Sequence, residues 1–163
     1  MPLSPTVPLN RLRKCLDSAI GWFELGMPGE ALRELESLPE ADRARLETLE
    51  LQAVLLQQQQ RWDDAAATYA ALCRQEGACV DRFIAWGCCL YELNRIPECR
   101  EALLAAPESA HQHGLWNYHL ACYEALLGRT DEARRLIRHS LEIEPRLRAM
   151  ALRNSNLAPL IAG

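Results

Sequence analysis

Cysteine and histidine are the residues of this chain that could support covalent chemistry. The sequence contains seven cysteines and four histidines, and His119 lies three positions before Cys122. Three positions make about one turn of a helix, so a thiol and an imidazole could meet on one helix face. The sequence supplies no third residue to orient that pair, and it contains no nucleophile elbow, phosphate-binding loop or H-E-x-x-H motif. It therefore predicts a protein without catalytic residues, which is not an enzyme.

Metal binding is the second kind of chemistry that the cysteines could support. Structural zinc sites use closely paired ligands such as C-x₂-C. The nearest pairs here are the adjacent Cys88 and Cys89, and Cys73 and Cys79 with five residues between them. Neither spacing matches, whereas a free cysteine commonly acts as a small buried apolar residue. The sequence predicts no metal and no cofactor, with all seven cysteines as free thiols.

Composition and charge are those of an ordinary globular protein. The chain has 163 residues, of which 49% are hydrophobic and 25% charged, and its formal net charge is −4. The arginines near its end are interleaved with acidic residues, so no net basic stripe for nucleic acid is expected. No segment resembles a membrane span, which needs about 18 apolar residues, and three prolines in the first eight residues argue against a signal peptide. We expect a cytoplasmic protein without nucleic-acid or membrane partners.

The elements that would position these residues repeat along the chain with a period of 34. Small residues recur at two positions of this period, and turn-forming or polar residues recur at a third. The first small set is Ala31, Ala65, Cys99 and Ala133; the second is Ala19, Ala53, Gly87 and Ala121; the turn set is Gly26, Gln60, Asn94 and Gly128. Such a period is typical of two-helix units whose helices cross at small residues.

The period predicts four helix–turn–helix units, at about residues 12–45, 46–79, 80–113 and 114–147. Glycine and asparagine tolerate the left-handed backbone that such turns require, so Gln60 indicates a strained or longer turn in the second unit. The second helices of the four units should end at Pro39, Gly77, Pro107 and Pro145. The tail, residues 146–163, should add a capping helix from about Arg146 to Leu152, because terminal units of a repeat array need a cover.

The fourth unit carries the motifs of a known repeat family. A small residue, an aromatic, Leu-Gly, Glu-Ala and a closing proline follow one another in residues 120–123, 127–128, 131–133 and 144–145. In these motifs the chain resembles tetratricopeptide-repeat proteins. Residues 21–26, 118–123 and 150–160 are further similar to a group of small stand-alone bacterial members with no assigned activity. The resemblance implies an all-α helical solenoid of four repeats with a C-terminal capping helix, as one domain over residues 10–163 that follows a flexible segment at 1–9.

The resemblance also indicates which surface should carry function. First helices of tetratricopeptide repeats line the concave side of the solenoid, and their inward positions here are mostly apolar or aromatic. The predicted groove consists of Leu16, Ile20, Phe23, Glu50, Val54, Gln57, Ile84, Cys88, Tyr91, Tyr118, His119 and Cys122. Such a groove favours an apolar peptide or an amphipathic helix. The equivalent positions lack the cations of the family's carboxylate clamp, so chaperone tails are not the expected ligand.

Two interpretations of this groove remain open. In the first, the chain is a non-enzymatic interaction module that binds a peptide or helix of another protein. Tyr91 and Tyr118 are then the expected anchors, since each can bury a ring and still offer a hydroxyl group. In the second, residues 2–8, residues 157–161 or another subunit fill the groove, and the chain is a self-associating structural protein.

Overall fold

All regular secondary structure that the structure describes is helical. The computed structural model describes residues 9–75, 77 and 79–161, with side chains from residue 11 onwards. The helices are α1 (Leu9–Glu24), α2 (Pro28–Glu36), α3 (Glu40–Arg43), α4 (Leu46–Gln58), α5 (Trp62–Cys73), α6 (Val80–Glu92), α7 (Ile96–Leu104), α8 (Gly114–Leu126), α9 (Thr130–Ile143), α10 (Arg148–Arg153) and α11 (Ala158–Ile161). Short 3-10 turns lie at Glu108–Gln112 and Pro145–Leu147. None of the described helices is long and apolar enough to cross a membrane.

The chain divides into two compact units, Met1–Leu72 and Cys73–Gly163. In the first unit α1 packs on α2, and α2 packs on α4. In the second unit α6 packs on α7, α7 on α8, and α8 on α9. Each unit therefore holds helices of two predicted repeats. The single domain over residues 10–163 stays a prediction, and residues 1–8 of the predicted flexible segment lie outside the described residues.

The predicted crossing residues are enclosed. Seven of the eight are completely shielded from solvent, namely Ala19, Ala31, Ala53, Ala65, Cys99, Ala121 and Ala133. The eighth is Gly87 on α6, where an added methyl group would lie 2.5 Å from Leu103 Cδ1 and 3.3 Å from Tyr123 Cε2. A side chain at this position would therefore have to displace Leu103 or Tyr123 in the core.

The four predicted turn residues all have the left-handed backbone. Their φ angles are 73° at Gly26, 57° at Gln60, 56° at Asn94 and 76° at Gly128. The backbone N–H of Gln60 donates to Gln57 O and that of Arg61 donates to Leu56 O, both at 2.9 Å. This is the same bonding pattern as at Asn94, so of the two expected alternatives the turn in the second unit is strained and not longer. Gln60 adopts the left-handed conformation, which costs roughly 1–2 kcal/mol for a residue with a Cβ atom.

The segments between repeats are more helical than the sequence predicts. Pro39 and Pro107 follow the ends of α2 and α7 as predicted, but each then begins a further short element, α3 and the 3-10 turn at Glu108–Gln112. Proline suits such a start because its fixed φ and missing N–H cost nothing in a first helical turn. The second helix of the second repeat, α5, ends at Cys73 rather than at Gly77.

The C-terminal cap has two pieces rather than one. The predicted helix over 146–152 is present as α10, which follows a 3-10 turn at Pro145–Leu147, and α11 then packs on α9. Ala151 and Leu157 are fully buried and fix the two pieces to the last repeat. The cap thereby covers the apolar face that α9 would otherwise expose.

Polar contacts tie the two repeats of the second unit together. The indole Nε1 of Trp116 donates to Leu103 O at 3.0 Å. The Glu124 carboxylate, which is 2% exposed, accepts from Arg100 Nε at 2.5 Å and from Arg129 Nη1 at 3.5 Å. A carboxylate with two arginine partners can remain charged inside a protein, whereas loss of a partner is costly. These bonds therefore hold α7 and α8 in a defined register.

The close approach at Gly87 yields a stability prediction. Gly87→Ala should lower the free energy of unfolding by about 1–3 kcal/mol, because the new methyl group overlaps Leu103 and Tyr123 inside a full core. Gly21→Ala is the matched control: Gly21 also lies inside a helix, but an added methyl group there meets nothing within 4 Å. Because alanine favours the helix more than glycine does, Gly21→Ala should raise the free energy of unfolding by about 0.5–1 kcal/mol. Chemical denaturation measures both, and equal shifts in the same direction would contradict the packing assignment.

Candidate functional site

Helices α6 and α8 and the segment after α9 enclose a pocket in the second unit. Its volume is about 280 Å³. The residues that line it are Cys88, Tyr91, Glu92, Tyr118, His119, Cys122, Tyr123, Leu126, Met150, Asn154 and Asn156. Successive first helices of neighbouring repeats supply two walls, because α6 and α8 contact each other directly. The C-terminal cap supplies the third wall.

Five predicted groove residues meet at this pocket. Cys88 and Tyr91 lie one turn apart on α6, and Tyr118, His119 and Cys122 span one turn of α8. Tyr91 is the most open of them at 47% exposure, whereas Tyr118 and Cys122 are almost fully buried. Tyr118 therefore lines the pocket but leaves little of its ring open to a ligand, contrary to the expectation that it is an anchor equivalent to Tyr91.

The cap closes the pocket through Asn154. Its Nδ2 donates to Tyr118 Oη at 3.5 Å and to Cys122 Sγ at 3.4 Å. Asn156 N–H donates to Asn154 Oδ1 at 2.9 Å, which holds the amide in place. The segment around Asn154 thus covers part of the face of α8 that the sequence predicts to be groove, while Leu157 is buried in the cap.

Four aromatic rings cluster along the pocket. Tyr91 stacks on Tyr123 with ring centroids 6.2 Å apart and planes inclined by 29°. His119 lies 6.3 Å from the Tyr123 ring and 5.4 Å from the Tyr118 ring, the latter edge to face. Distances of this size are those of favourable aromatic pairs, so the four rings support one another.

Burial favours the neutral forms of His119, Cys88 and Cys122. Desolvation lowers the pKa of His119 to about 4 and raises the pKa of the Cys122 thiol to about 12. It also raises the pKa of Cys88, whose Sγ lies 3.9 Å from His119 Nδ1. The histidine thus has Cys88 as its thiol neighbour, and Cys122 bonds to Asn154 instead. Neither thiol readily forms a thiolate, so the geometry does not support a reactive thiol–imidazole pair of Cys122 and His119.

The remaining predicted groove residues lie elsewhere. Ile84 on α6 belongs to the core at 6% exposure and is not among the residues that line the pocket. In the first unit, Leu16, Ile20 and Phe23 lie on α1 and Glu50, Val54 and Gln57 on α4. Ile20 and Val54 are 42% and 39% exposed, which leaves apolar surface on both helices. Gln57 is engaged, because its Oε1 accepts from the Tyr69 hydroxyl at 2.8 Å. The role of these six residues in binding stays a prediction.

Six pocket residues are absent from the sequence prediction. Glu92 and Leu126 lie four positions after Cys88 and Cys122, so helical spacing could have found them. Tyr123 directly follows Cys122 on α8, so spacing along one helical face does not indicate it. Met150, Asn154 and Asn156 come from the cap, whose path depends on tertiary packing.

Metal binding has no support in the described part of the chain. No group of three or more histidine, cysteine, aspartate or glutamate residues within 9–75, 77 and 79–161 is placed to hold a metal ion. All seven cysteines are free thiols.

A second cavity of about 260 Å³ lies between α9 and α11. Its lining residues are Ile137, Arg138, Leu141, Glu142, Arg148, Leu160 and Ile161. Two guanidinium groups and one carboxylate give this cavity a net positive charge, in contrast to the first pocket.

Comparison with known proteins identifies the fold. No family model matches the sequence, and no curated protein matches it either. Solved structures do match: MamA superposes with a TM-score of 0.79 at 16% identity, over 93% of this chain and 81% of that one. PilF of Pseudomonas aeruginosa gives 0.71 at 18% identity, over 94% and 68%. PcrH, also from Pseudomonas aeruginosa, gives 0.54 at 22% identity, over 77% and 88%.

These three are tetratricopeptide-repeat proteins. At such low identity the likeness concerns the fold, and it agrees with the 34-residue period and with the helix pairs described above. The predicted fold class is thereby confirmed: the chain is an all-α protein with the tetratricopeptide-repeat fold.

Proposed function

We propose that this protein is a non-enzymatic interaction module that binds a peptide or an amphipathic helix of another protein. The pocket of the second unit, between the first helices α6 and α8, is the proposed anchor site. The proposal is supported by the fold, since stacked helical repeats present extended surfaces for binding. It is supported further by the pocket, which a partner side chain can enter.

The observation that carries the proposal is the exposed apolar rim of the pocket. Tyr91, Leu126 and Met150 are 47%, 39% and 39% exposed although they surround a concave site. Large apolar side chains held open around a cavity mark binding surfaces more often than they mark ordinary protein surface. Neither the cysteine pKa values nor the residue spacing supports a reaction there, so binding is the function that the geometry favours.

Self-association is the second candidate, and one observation favours it. Asn154 shows that the chain's own C-terminal segment already contacts the α8 face of the pocket. The same face could take a segment of another copy. Light scattering distinguishes the two candidates. A dimer that dissociates in the Tyr91→Ala variant would favour self-association, and a monomer at micromolar concentration would favour a separate partner.

Binding through the pocket can be tested with peptides selected from a random display library against the full chain. Tyr91→Ala should weaken the selected peptides at least about tenfold, because truncation of an aromatic anchor commonly costs about 2 kcal/mol or more. Leu104→Ala is the control, since Leu104 is 45% exposed on α7 and does not line the pocket. Titration by fluorescence anisotropy measures both. Peptides that bind Tyr91→Ala as tightly as the unaltered protein would show that recognition occurs elsewhere.

Thiol reactivity tests the absence of catalysis. Cys122 should react with iodoacetamide far more slowly than the exposed Cys79, because burial raises the pKa of its thiol to about 12 and the thiolate is the reactive form. Peptide mass spectrometry after brief labelling of the native protein at pH 8 gives the order of reaction. Rapid, selective modification of Cys122 would revive the enzyme interpretation.

The pH dependence of stability tests the neutral state of His119. Burial lowers its pKa from 6.5 to about 4. The unfolded chain therefore binds a proton at this residue over a range in which the folded chain does not. Stability should fall as pH falls from about 6.5 to about 4, by up to about 3 kcal/mol, and this contribution should then level off.

His119→Gln should remove this loss of stability at low pH. His139→Gln is the control: His139 is half-buried on α9, and its replacement should leave the loss unchanged. Urea denaturation of the three proteins between pH 7 and pH 4 measures the difference. Stability curves for His119→Gln and the unaltered protein that run parallel over this range would mean that His119 is hydrated in the folded state.

A further inference from the structure

The charge of the pocket is one-sided. Among the described residues that line it, Glu92 is the one with a formal charge at neutral pH, since the thiols, the hydroxyl groups and the buried imidazole are uncharged. Glu92 is exposed, and its carboxylate forms no ion pair with a described residue of its own unit. No lysine or arginine lines the pocket to balance it. An anionic ligand would therefore be repelled, and a cationic ligand would find a free partner.

The rings give the same preference. Aromatic faces carry negative charge density, so a cation within about 6 Å of a ring centroid is attracted to it. The pocket contains three tyrosine rings and a neutral imidazole within 5.4–6.3 Å of their neighbours. Tyr91 leaves part of its ring open to solvent, while Tyr123 behind it is 2% exposed. Tyr91 and Glu92 both line the pocket, so a cation that enters it can reach the ring of Tyr91 and the carboxylate of Glu92.

The size of the pocket fits a single side chain. Pockets for whole drug-sized molecules measure about 300–1,000 Å³, and this one measures about 280 Å³ with an open rim. Leu126 and Met150 supply apolar surface along which the methylene groups of a long side chain can lie. A long, flexible side chain with a charged end matches both the apolar rim and the aromatic rings of the pocket.

We propose, on the basis of the function proposed above, that the pocket binds an arginine or lysine side chain of the partner peptide. The cation lies against the ring of Tyr91 and pairs with the carboxylate of Glu92, and the methylene groups lie on Leu126 and Met150. Arginine binds more tightly than lysine, because its guanidinium group is more weakly hydrated and stacks on aromatic rings.

The test uses four blocked amino acids as probes: the N-acetyl, N′-methylamide derivatives of arginine, lysine, leucine and glutamate. Each is titrated into the full-length ¹⁵N-labelled protein, and amide shifts are followed by NMR. The arginine and lysine probes should shift the amides of residues 88–92 and 118–126 and should bind at least about fivefold more tightly than the leucine probe. The glutamate probe should not shift them. The cationic probes should leave the cavity between α9 and α11 unaffected, since Arg138 and Arg148 line it.

Matched variants separate the two contacts. Tyr91→Leu keeps apolar volume but removes the ring, and should weaken the arginine probe at least about threefold, whereas Tyr91→Phe should retain most of the affinity. Glu92→Gln should weaken the probe to a similar degree and reduce the effect of added salt on its affinity. Glu101→Gln changes the net charge equally but lies on α7 outside the pocket, and it should have no effect.

The outcomes also separate this inference from the proposed function. A leucine probe that binds the pocket as tightly as the arginine probe would overturn the cationic anchor, while peptide binding that depends on Tyr91 would still support the proposed function. If Glu92→Gln and Glu101→Gln weakened binding of the arginine probe equally, the net charge of the protein would account for the effect. That result would overturn the pairing of the cation with Glu92. Probes that leave residues 88–92 and 118–126 unshifted would overturn the assignment of a side-chain site here.

Discussion

The close approach of α6 to α7 and α8 at Gly87 is the constraint on which the second unit depends. Without a side chain at this position, Leu103 and Tyr123 pack directly against the backbone of α6. That contact places the Tyr123 ring behind Tyr91, where it lines the pocket. The absence of a side chain at this crossing therefore allows both the close approach of α7 and α8 to α6 and the position of the Tyr123 ring at the pocket, because helices can approach to about 8–10 Å only where side chains are small.

Burial determines what the pocket can do chemically. The residues that resemble catalytic machinery in the sequence, His119 and Cys122, lose their hydration in the fold, and their pKa values move in opposite directions away from neutrality. A thiolate–imidazolium pair needs the reverse shifts. The same desolvation that removes reactivity leaves polarisable sulfur atoms and aromatic faces as the surface of the site. Such a surface is suited to recognition.

Two glutamates of the second unit, Glu92 on α6 and Glu124 on α8, lie in different environments. Glu124 is buried and forms ion pairs with Arg100 and Arg129, which fix α7 against α8. Glu92 stands at the pocket without such partners. A buried carboxylate requires counter-charges to be stable, whereas an exposed carboxylate is stabilised by water and needs no partner. The contrast leaves Glu124 as a structural residue and leaves the carboxylate of Glu92 exposed at the pocket.

The sequence by itself determined the helix pairs, the left-handed turns and the enclosed small residues, because a 34-residue period reports helical packing that neighbouring units share. It also indicated Cys88, Tyr91, Tyr118, His119 and Cys122, since a helical face can be read from local spacing. Only the tertiary structure decided that Ile84 is core, that Tyr118 is covered, and that Met150, Asn154 and Asn156 complete the pocket. Those outcomes depend on contacts between segments about 30 or more residues apart, where the path of the cap and the depth of each side chain follow from packing and not from periodicity.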